Sequence, residues 1–240
     1  MKISNWLINR KNYGDQRDTK NIKYIVIHYT ANDGDSDTAN AKYFTNNVVK
    51  ASAHYFVDND SITQTVPDNM VAYSVGGNRY SNYKETGGAS HYKKCTNANS
   101  ISIELCDSVK DGKIYPTENT IKQAVELTRE LMAKYNIPKD NVIRHFDVTG
   151  KSCPLYWCGS TAKNVMWRYD FWDKLTDFQQ YKVMINTEAL NVRTGAGVSN
   201  KKVMEVTKGE IFTIVDEKNG WGKLKSGVGW ISLKYTVRLK

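Results

Sequence analysis

The first strong pattern in the chain is the short apolar run Tyr24-Ile25-Val26-Ile27, which closes on His28-Tyr29-Thr30. A run of this length without alternation predicts a strand buried on both faces. Asn32-Asp33-Gly34-Asp35 then marks a turn, and Ser36 and Asp37 offer caps for a short helix through Ala41, Phe44 and Val48. Residues 52–57 and 61–66 read as two more strands around the turn Asp58-Asn59-Asp60. Residues 100–106 alternate polar and apolar before turning apolar, a further strand. The clearest helix has Thr117 as N-cap. Its apolar stripe is Ile121, Ala124, Val125, Thr128, Leu131, Met132 and Tyr135, and Asn136-Ile137-Pro138 ends it. Residues 141–148 predict a last strand carrying His145, residues 150–159 a loop, and residues 161–175 an aromatic-rich helix.

Two stretches break this alternation of strands and helices. Residues 74–99 are polar, rich in Gly, Asn, Ser, Tyr and Lys, and show little periodicity. A loop this long inside a compact domain is usually functional, so it is a candidate wall for a binding cleft. Near residues 176–183 the texture changes to short alternating segments with Gly-rich turns, among them Ala189-Leu190-Asn191-Val192-Arg193, Asn219-Gly220-Trp221 and Gly229-Trp230-Ile231. Such spacing predicts a small β-barrel. The expected organisation is an α/β domain over residues 1–177, a mixed central sheet flanked by helices, then a linker at 178–184 and an all-β domain at 185–240.

Composition narrows the partners. The formal charge of +9 favours an anionic partner, with plain solubility as the alternative. Lysines are spread along the chain instead of forming one stripe, which argues against a dedicated nucleic-acid surface. No segment approaches the ~18 consecutive apolar residues of a membrane span, so membrane insertion is not expected. Lys2 is followed by no sustained apolar region, so no secretory leader is expected in these residues; synthesis in the cytoplasm and release by other means, or a leader already removed, both fit. Four cysteines are too few for a disulfide scaffold of this size. Cys106 reads as a buried thiol and Cys95 carries no signal.

The chemistry gathers around two histidines and one cysteine. His28 and His145 both fall at expected strand ends, and Cys153 follows His145 in Arg144-His145-Phe146-Asp147-Val148-Thr149-Gly150-Lys151-Ser152-Cys153-Pro154. Two imidazoles and a thiolate form a three-ligand set that leaves zinc a fourth position, as a catalytic site requires. A closed structural site using Cys153 and Cys158 is the rival, and satisfied core histidines with an inert cysteine the third possibility. Glu104 ends an apolar strand, where burial is costly unless the carboxylate has work or a partner such as a neighbouring lysine. Lys151 either faces a developing oxyanion or is simply solvated. His54 reads as a cleft residue touching substrate or supporting the site, or else as a buried strand histidine. His91 is expected to be exposed.

Taken in order, IVIHYTA, SAHYFVD, NSISIEL and RHFDVTGKSCP resemble the amidase-2 family of N-acetylmuramoyl-L-alanine amidases, over about residues 20–175. Residues 186–240, with ALNVRTGAG, NGWGKL and GWISLKY, resemble a bacterial SH3-type (SH3b) domain. The pairing is similar to endolysins and autolysins of Gram-positive walls. The resemblance implies zinc on His28, His145 and Cys153, a catalytic carboxylate at Glu104 and a catalytic lysine at Lys151. It implies hydrolysis of the amide between N-acetylmuramic acid and L-alanine, peptidoglycan as partner, and action outside the cytoplasm. Ala53 departs from one branch, which has a catalytic tyrosine there, so the acid–base work falls to Glu104. A non-catalytic recognition protein would tend to lack the third ligand. In the barrel, Trp221, Trp230 and Tyr235 are the aromatic candidates, with at least one tryptophan expected in the core.

Overall fold

The computed structural model describes residues 3–32, 34–110, 113–176 and 180–239, and the chain divides into two compact units, 1–176 and 177–240. The larger unit is built on a six-stranded sheet: β1 (Ile3–Asn5), β2 (Tyr24–Tyr29), β3 (Tyr55–Val57), β4 (Ile62–Gln64), β5 (Ser100–Leu105) and β6 (Val142–Arg144), in the order β1-β4-β3-β5-β2-β6. Only the β3–β4 pair is antiparallel, so the sheet is mixed.

Its two faces follow from side-chain alternation along Ser100-Ile101-Ser102-Ile103-Glu104-Leu105. Ile101, Ile103 and Leu105 join Ile25 and Ile27 in the main core, packed against the helix α2 (Glu118–Tyr135) through Ile121, Ala124, Val125, Leu127 and Leu131. Trp157, Trp167 and Phe171 fill the same core. Ser102 and Glu104 therefore point to the opposite face, with Val26 and His28. There a smaller cluster of Val26, Ile143, Val148, Val75 and Cys95 forms the packing.

Most helix boundaries follow from capping chemistry. Ser36 caps α1 (Asp37–Asn46) by accepting from the Ala39 N–H, and Thr117 caps α2 by accepting from the Thr120 N–H. Asn136 closes α2 in the left-handed conformation, φ 52°. The expected strand to Val148 stops at Arg144, and His145 opens a short helix, α3 (His145–Thr149). Asp147 is the reason: its carboxylate accepts from the Arg144 N–H and turns the chain into a helical first turn. The expected helix over 161–175 is also shorter. α4 spans Thr161–Asp170, and after Phe171 the chain continues as a separate 3-10 turn at Trp172–Leu175.

The smaller unit is a seven-stranded, antiparallel sheet: β7 (Tyr181–Ile185), β8 (Ala189–Arg193), β9 (Lys202–Thr207), β10 (Ile211–Lys218), β11 (Trp221–Leu224), β12 (Trp230–Ser232) and β13 (Thr236–Arg238), in the order β9-β8-β12-β11-β10-β7-β13. Its core is aliphatic: Val183, Ile185, Leu190, Val192, Val206, Ile214, Leu224 and Ile231. Trp221 and Trp230 are half-buried and Tyr235 exposed, so neither tryptophan belongs to the buried core. The expected linker at 178–184 needs correction. Residues 181–184 form most of β7, which pairs with β10 on one side and β13 on the other. Residues 178 and 179 of that linker, like Asp33 in the expected turn, lie outside the described residues.

Candidate metal centre

Strand register brings the predicted residues together. In the β2–β5 pair His28 stands directly across from Glu104, and in the β3–β5 pair Phe56 flanks Glu104 on its other side. Arg144 pairs with Ile27, so the next residue, His145, emerges beside His28. The two imidazole rings meet edge-on, centroids 4.8 Å apart. Gly150 then adopts φ 83°, a conformation that favours glycine, and ends α3. The chain turns through Lys151 to Cys153, whose carbonyl accepts from the Phe146 N–H at 2.9 Å.

One ligand atom each from His28, His145 and Cys153 lies within 4.8 Å of the others, and all three residues are buried. Cys153 Sγ is 3.8 Å from His28 Nδ1, and Glu104 Oε1 is 3.8 Å from the same nitrogen. His28 Nε2, His145 Nδ1 and Glu104 Oε2 are buried without a hydrogen-bond partner. Buried polar atoms are normally paired, so three at neighbouring strand ends call for a ligand. Cys158 is buried and free but does not join the cluster.

The electrostatics fit a cation. Burial holds His28 well below its ordinary value, with His145 and Lys151 adding to the effect. Burial and then Lys151 lower His145 to about 3. Both rings are therefore neutral, the form that binds metal. Burial, with Glu104, pushes the Cys153 thiol well up, so its thiolate needs a neighbouring positive charge. Glu104 is raised to about 8, mainly by burial, with Asp107 and Asp35 adding and Lys151 opposing. Glu104 retains 19% side-chain exposure, enough to meet a substrate.

Glu104 and Lys151 open onto one cleft of about 600 Å3, walled by Tyr29, Asn32, Tyr43 and Phe44. Its described walls come from the end of β2 and the segment after it, from α1, from Phe56 on β3 and from Lys151 and Ser152. The 74–99 stretch, expected to form a wall, instead packs behind α3: the Tyr80 N–H donates to Thr149 O and the Ala89 N–H to Phe146 O.

His54 is a correction to the expected substrate contact. It is fully buried. Its Nδ1 accepts from the Ser102 N–H at 3.0 Å, and its Nε2 lies 2.9 Å from Arg17 Nη2 and 3.2 Å from Met70 O. Arg17 also donates to the carbonyls of Asp68, Asn97 and Ser100. The ring is a buried hub under the sheet, with both nitrogens engaged by protein. Sequence reading missed Asp107, whose Oδ2 accepts from the Ala31 N–H at 3.0 Å and whose own N–H donates to Asp35. That pairing fastens the loop after β2 to the end of β5. Its only signal was an acid three residues beyond Glu104.

A family model described as N-acetylmuramoyl-L-alanine amidase (Amidase_2) matches residues 18–155, and one described as bacterial SH3 domain matches residues 188–237. The chain is 31% identical over 196 residues to the N-acetylmuramoyl-L-alanine amidase CwlL of Bacillus licheniformis, covering 78% of this chain and 52% of that protein. With the amidase BlyA of Bacillus subtilis (strain 168) it shares 35% over 147 residues, 60% of this chain and 39% of the other. The chain thus spans about half or less of these relatives' lengths. Among solved structures, the catalytic domain of XlyA aligns with TM-score 0.56 at 25% identity, covering 73% of this chain and all of the other. PlyL gives 0.56 at 26%, covering 73% and 98%.

Proposed function

Since the chain belongs to the Amidase_2 family of N-acetylmuramoyl-L-alanine amidases, we propose that it hydrolyses the amide between N-acetylmuramic acid and the L-alanine of the stem peptide in Gram-positive peptidoglycan. The observation that carries this reading is the convergence of three candidate ligands and a raised carboxyl at neighbouring strand ends, open to a cleft. His28, His145 and Cys153 would hold a zinc ion; their buried ligand atoms lie within 4.8 Å of one another, and two neutral imidazoles with a soft thiol suit it. Zinc bound there supplies Lewis acidity to a carbonyl and lowers the pKa of a water.

The chain's own groups do the rest. The cleft admits an extended glycan–peptide, and Tyr29 and Tyr43 offer it aromatic contact. Glu104 takes a proton from the attacking water onto its carboxylate and returns it to the departing alanine nitrogen. A carboxyl raised towards neutrality is suited to both halves of that exchange. Lys151 lines the same cleft and presents its ammonium to the tetrahedral oxyanion. The SH3-like unit holds the enzyme on the wall. The enzyme acts outside the cytoplasm, as an endolysin or autolysin does.

Mass spectrometry of digested peptidoglycan tests the bond: free stem peptides beginning with L-alanine are expected, and new reducing sugar ends would overturn the reading. Chelation should abolish lysis and added zinc restore it.

A further inference from the structure

We propose that Arg144 is a positioning residue for the metal site, setting the His145–Cys153 pair through their main chains; the inference rests on the zinc reading above. Metal-binding histidines are commonly oriented by a hydrogen bond to the second ring nitrogen. Here, among the described residues, no hydrogen bond reaches either nitrogen of the His145 ring, so whichever one faces the metal, the other has no partner to orient it. The ring's position must therefore come from the backbone that carries it.

Arg144 controls that backbone from both sides. It is 7% exposed. Its Nε and Nη2 donate to the two oxygens of Asp147 at 2.9 and 2.8 Å, while its own N–H donates to Asp147 Oδ2 at 2.8 Å. These three bonds close a ring around His145 and fix the first turn of α3. The remaining nitrogen, Nη1, reaches the other way, donating to Trp157 O and, at 2.7 Å, to Asn164 Oδ1. Trp157 follows closely on Cys153, and Asn164 lies on α4. One guanidinium thus ties the helix bearing the second ligand to the segment bearing the third. The Phe146 N–H to Cys153 O bond lies within this frame. The Phe146 and Trp167 rings, 5.1 and 5.5 Å from the guanidinium carbon, enclose it.

Only arginine's planar fork can serve these two directions at once. A lysine supplies the charge but a single nitrogen, so it can satisfy Asp147 or the Trp157–Asn164 side, not both. Ligand positions must hold within a few tenths of an ångström for tight binding. Loss of the bridge should therefore appear as weaker metal binding before it appears as unfolding.

The test uses the full chain and zinc itself. Zinc affinity is measured by competition with a fluorescent chelator for the wild type, Arg144→Lys and Asn164→Ala, beside the thermal midpoint of each metal-free protein. Arg144→Lys should bind zinc about 10–100-fold more weakly. Asn164→Ala, which removes one bond on the Cys153 side and leaves Arg144 in place, should weaken binding less and leave the metal-free midpoint near the wild type's. With cobalt(II) in place of zinc, both variants should show shifted visible bands, a sign of altered ligand geometry. Wild-type affinity and an unchanged cobalt spectrum in folded Arg144→Lys would overturn the proposal. If Arg144→Lys does not fold, unchanged affinity and spectrum in Asn164→Ala overturn it instead. A wild-type protein that binds no zinc fails differently: it removes the metal reading and this inference with it.

Discussion

Glu104 occupies a position where three pressures meet: a strand end, a cluster of candidate ligands and an open cleft. Burial pushes its carboxyl to about 8, although Lys151 pulls the other way. Glutamine matches it in shape but accepts no proton, so Glu104→Gln should keep the fold and the bound metal. It should lose ~10²–10⁴-fold in kcat, read on soluble muropeptide. A fully active, destabilised variant would instead make Glu104 a structural partner. His54 yields a second prediction, on stability. Burial first and Arg17 second lower it to about 3, whereas an unfolded histidine titrates near ~6.5. The unfolded chain therefore takes a proton that the fold refuses until about pH 3. The stability it contributes is complete above about pH 6.5 and drains as pH falls towards 3, by at most ~1.4 kcal/mol per pH unit. Glu104 and Asp107, raised carboxyls, act with the opposite sign, so the comparison must be between variants. The stability of the wild type should fall more steeply between pH 6.5 and 4 than that of His54→Gln at equal metal content; parallel slopes would mean that His54 titrates normally. His28, Glu104, His145, Lys151 and Cys153 could be picked out as candidates because their types and order match the motifs of the family, and the fold brings them to one place. The sequence could not tell a cleft histidine from a buried one, because that depends on Arg17 and Met70 arriving from distant segments.

At the scale of elements, local chemistry was readable wherever one residue decides the boundary. Thr117 and Asn136 frame α2 as their types dictate, and the Ser-Ile-Ser-Ile-Glu-Leu alternation assigns both faces of β5. The boundary at His145 was not readable in the same way, since apolar Val142, Ile143 and Val148 suit a strand equally well. Asp147 decides for a helix through the Arg144 N–H and guanidinium, contacts that propensity does not register. β7 was missed for a different reason. Tyr181, Val183 and Ile185 alternate correctly, but the run is short, and it forms because β10 and β13 close on it from both sides. Cap strength can be measured directly. Thr117 Oγ1 accepts from the Thr120 N–H at 3.0 Å and donates to Asn59 at 2.8 Å, tying α2 to the turn before β4. Thr117→Ala should cost ~0.5–2 kcal/mol by denaturant unfolding, with kcat unchanged, because α2 packs on the sheet face opposite Glu104. A loss of activity at full stability would mean that α2 reports to the cleft.

On the scale of the molecule, two compact units with separate cores imply separable tasks. Among the described residues, the candidate ligands and their cleft belong to the larger unit, and the aliphatic core of the smaller draws on 183–231. Charge is unevenly shared: residues 177–240 hold eleven lysines and arginines against six acids, more than half of the net +9 in about a quarter of the length. Residues 1–176 alone should therefore fold and cleave soluble muropeptides with near-native kcat. They should lose avidity for intact walls, since tethering raises local substrate concentration without touching the chemistry. The position of the cut decides the outcome for the other half. A fragment starting at 185, as the sequence texture suggested, lacks nearly all of β7. That leaves β10 and β13 without their shared neighbour and removes Val183 from the core. A fragment starting at 177 keeps the seven-stranded sheet whole. The longer fragment should unfold cooperatively and co-sediment with Gram-positive walls without cutting them, and the shorter should do neither. Salt should weaken the sedimentation in proportion to the share of attachment due to charge. If the intact seven-stranded fragment folds yet stays in the supernatant at low salt, wall anchoring does not reside in this unit, and the larger unit must find the wall through its own cleft.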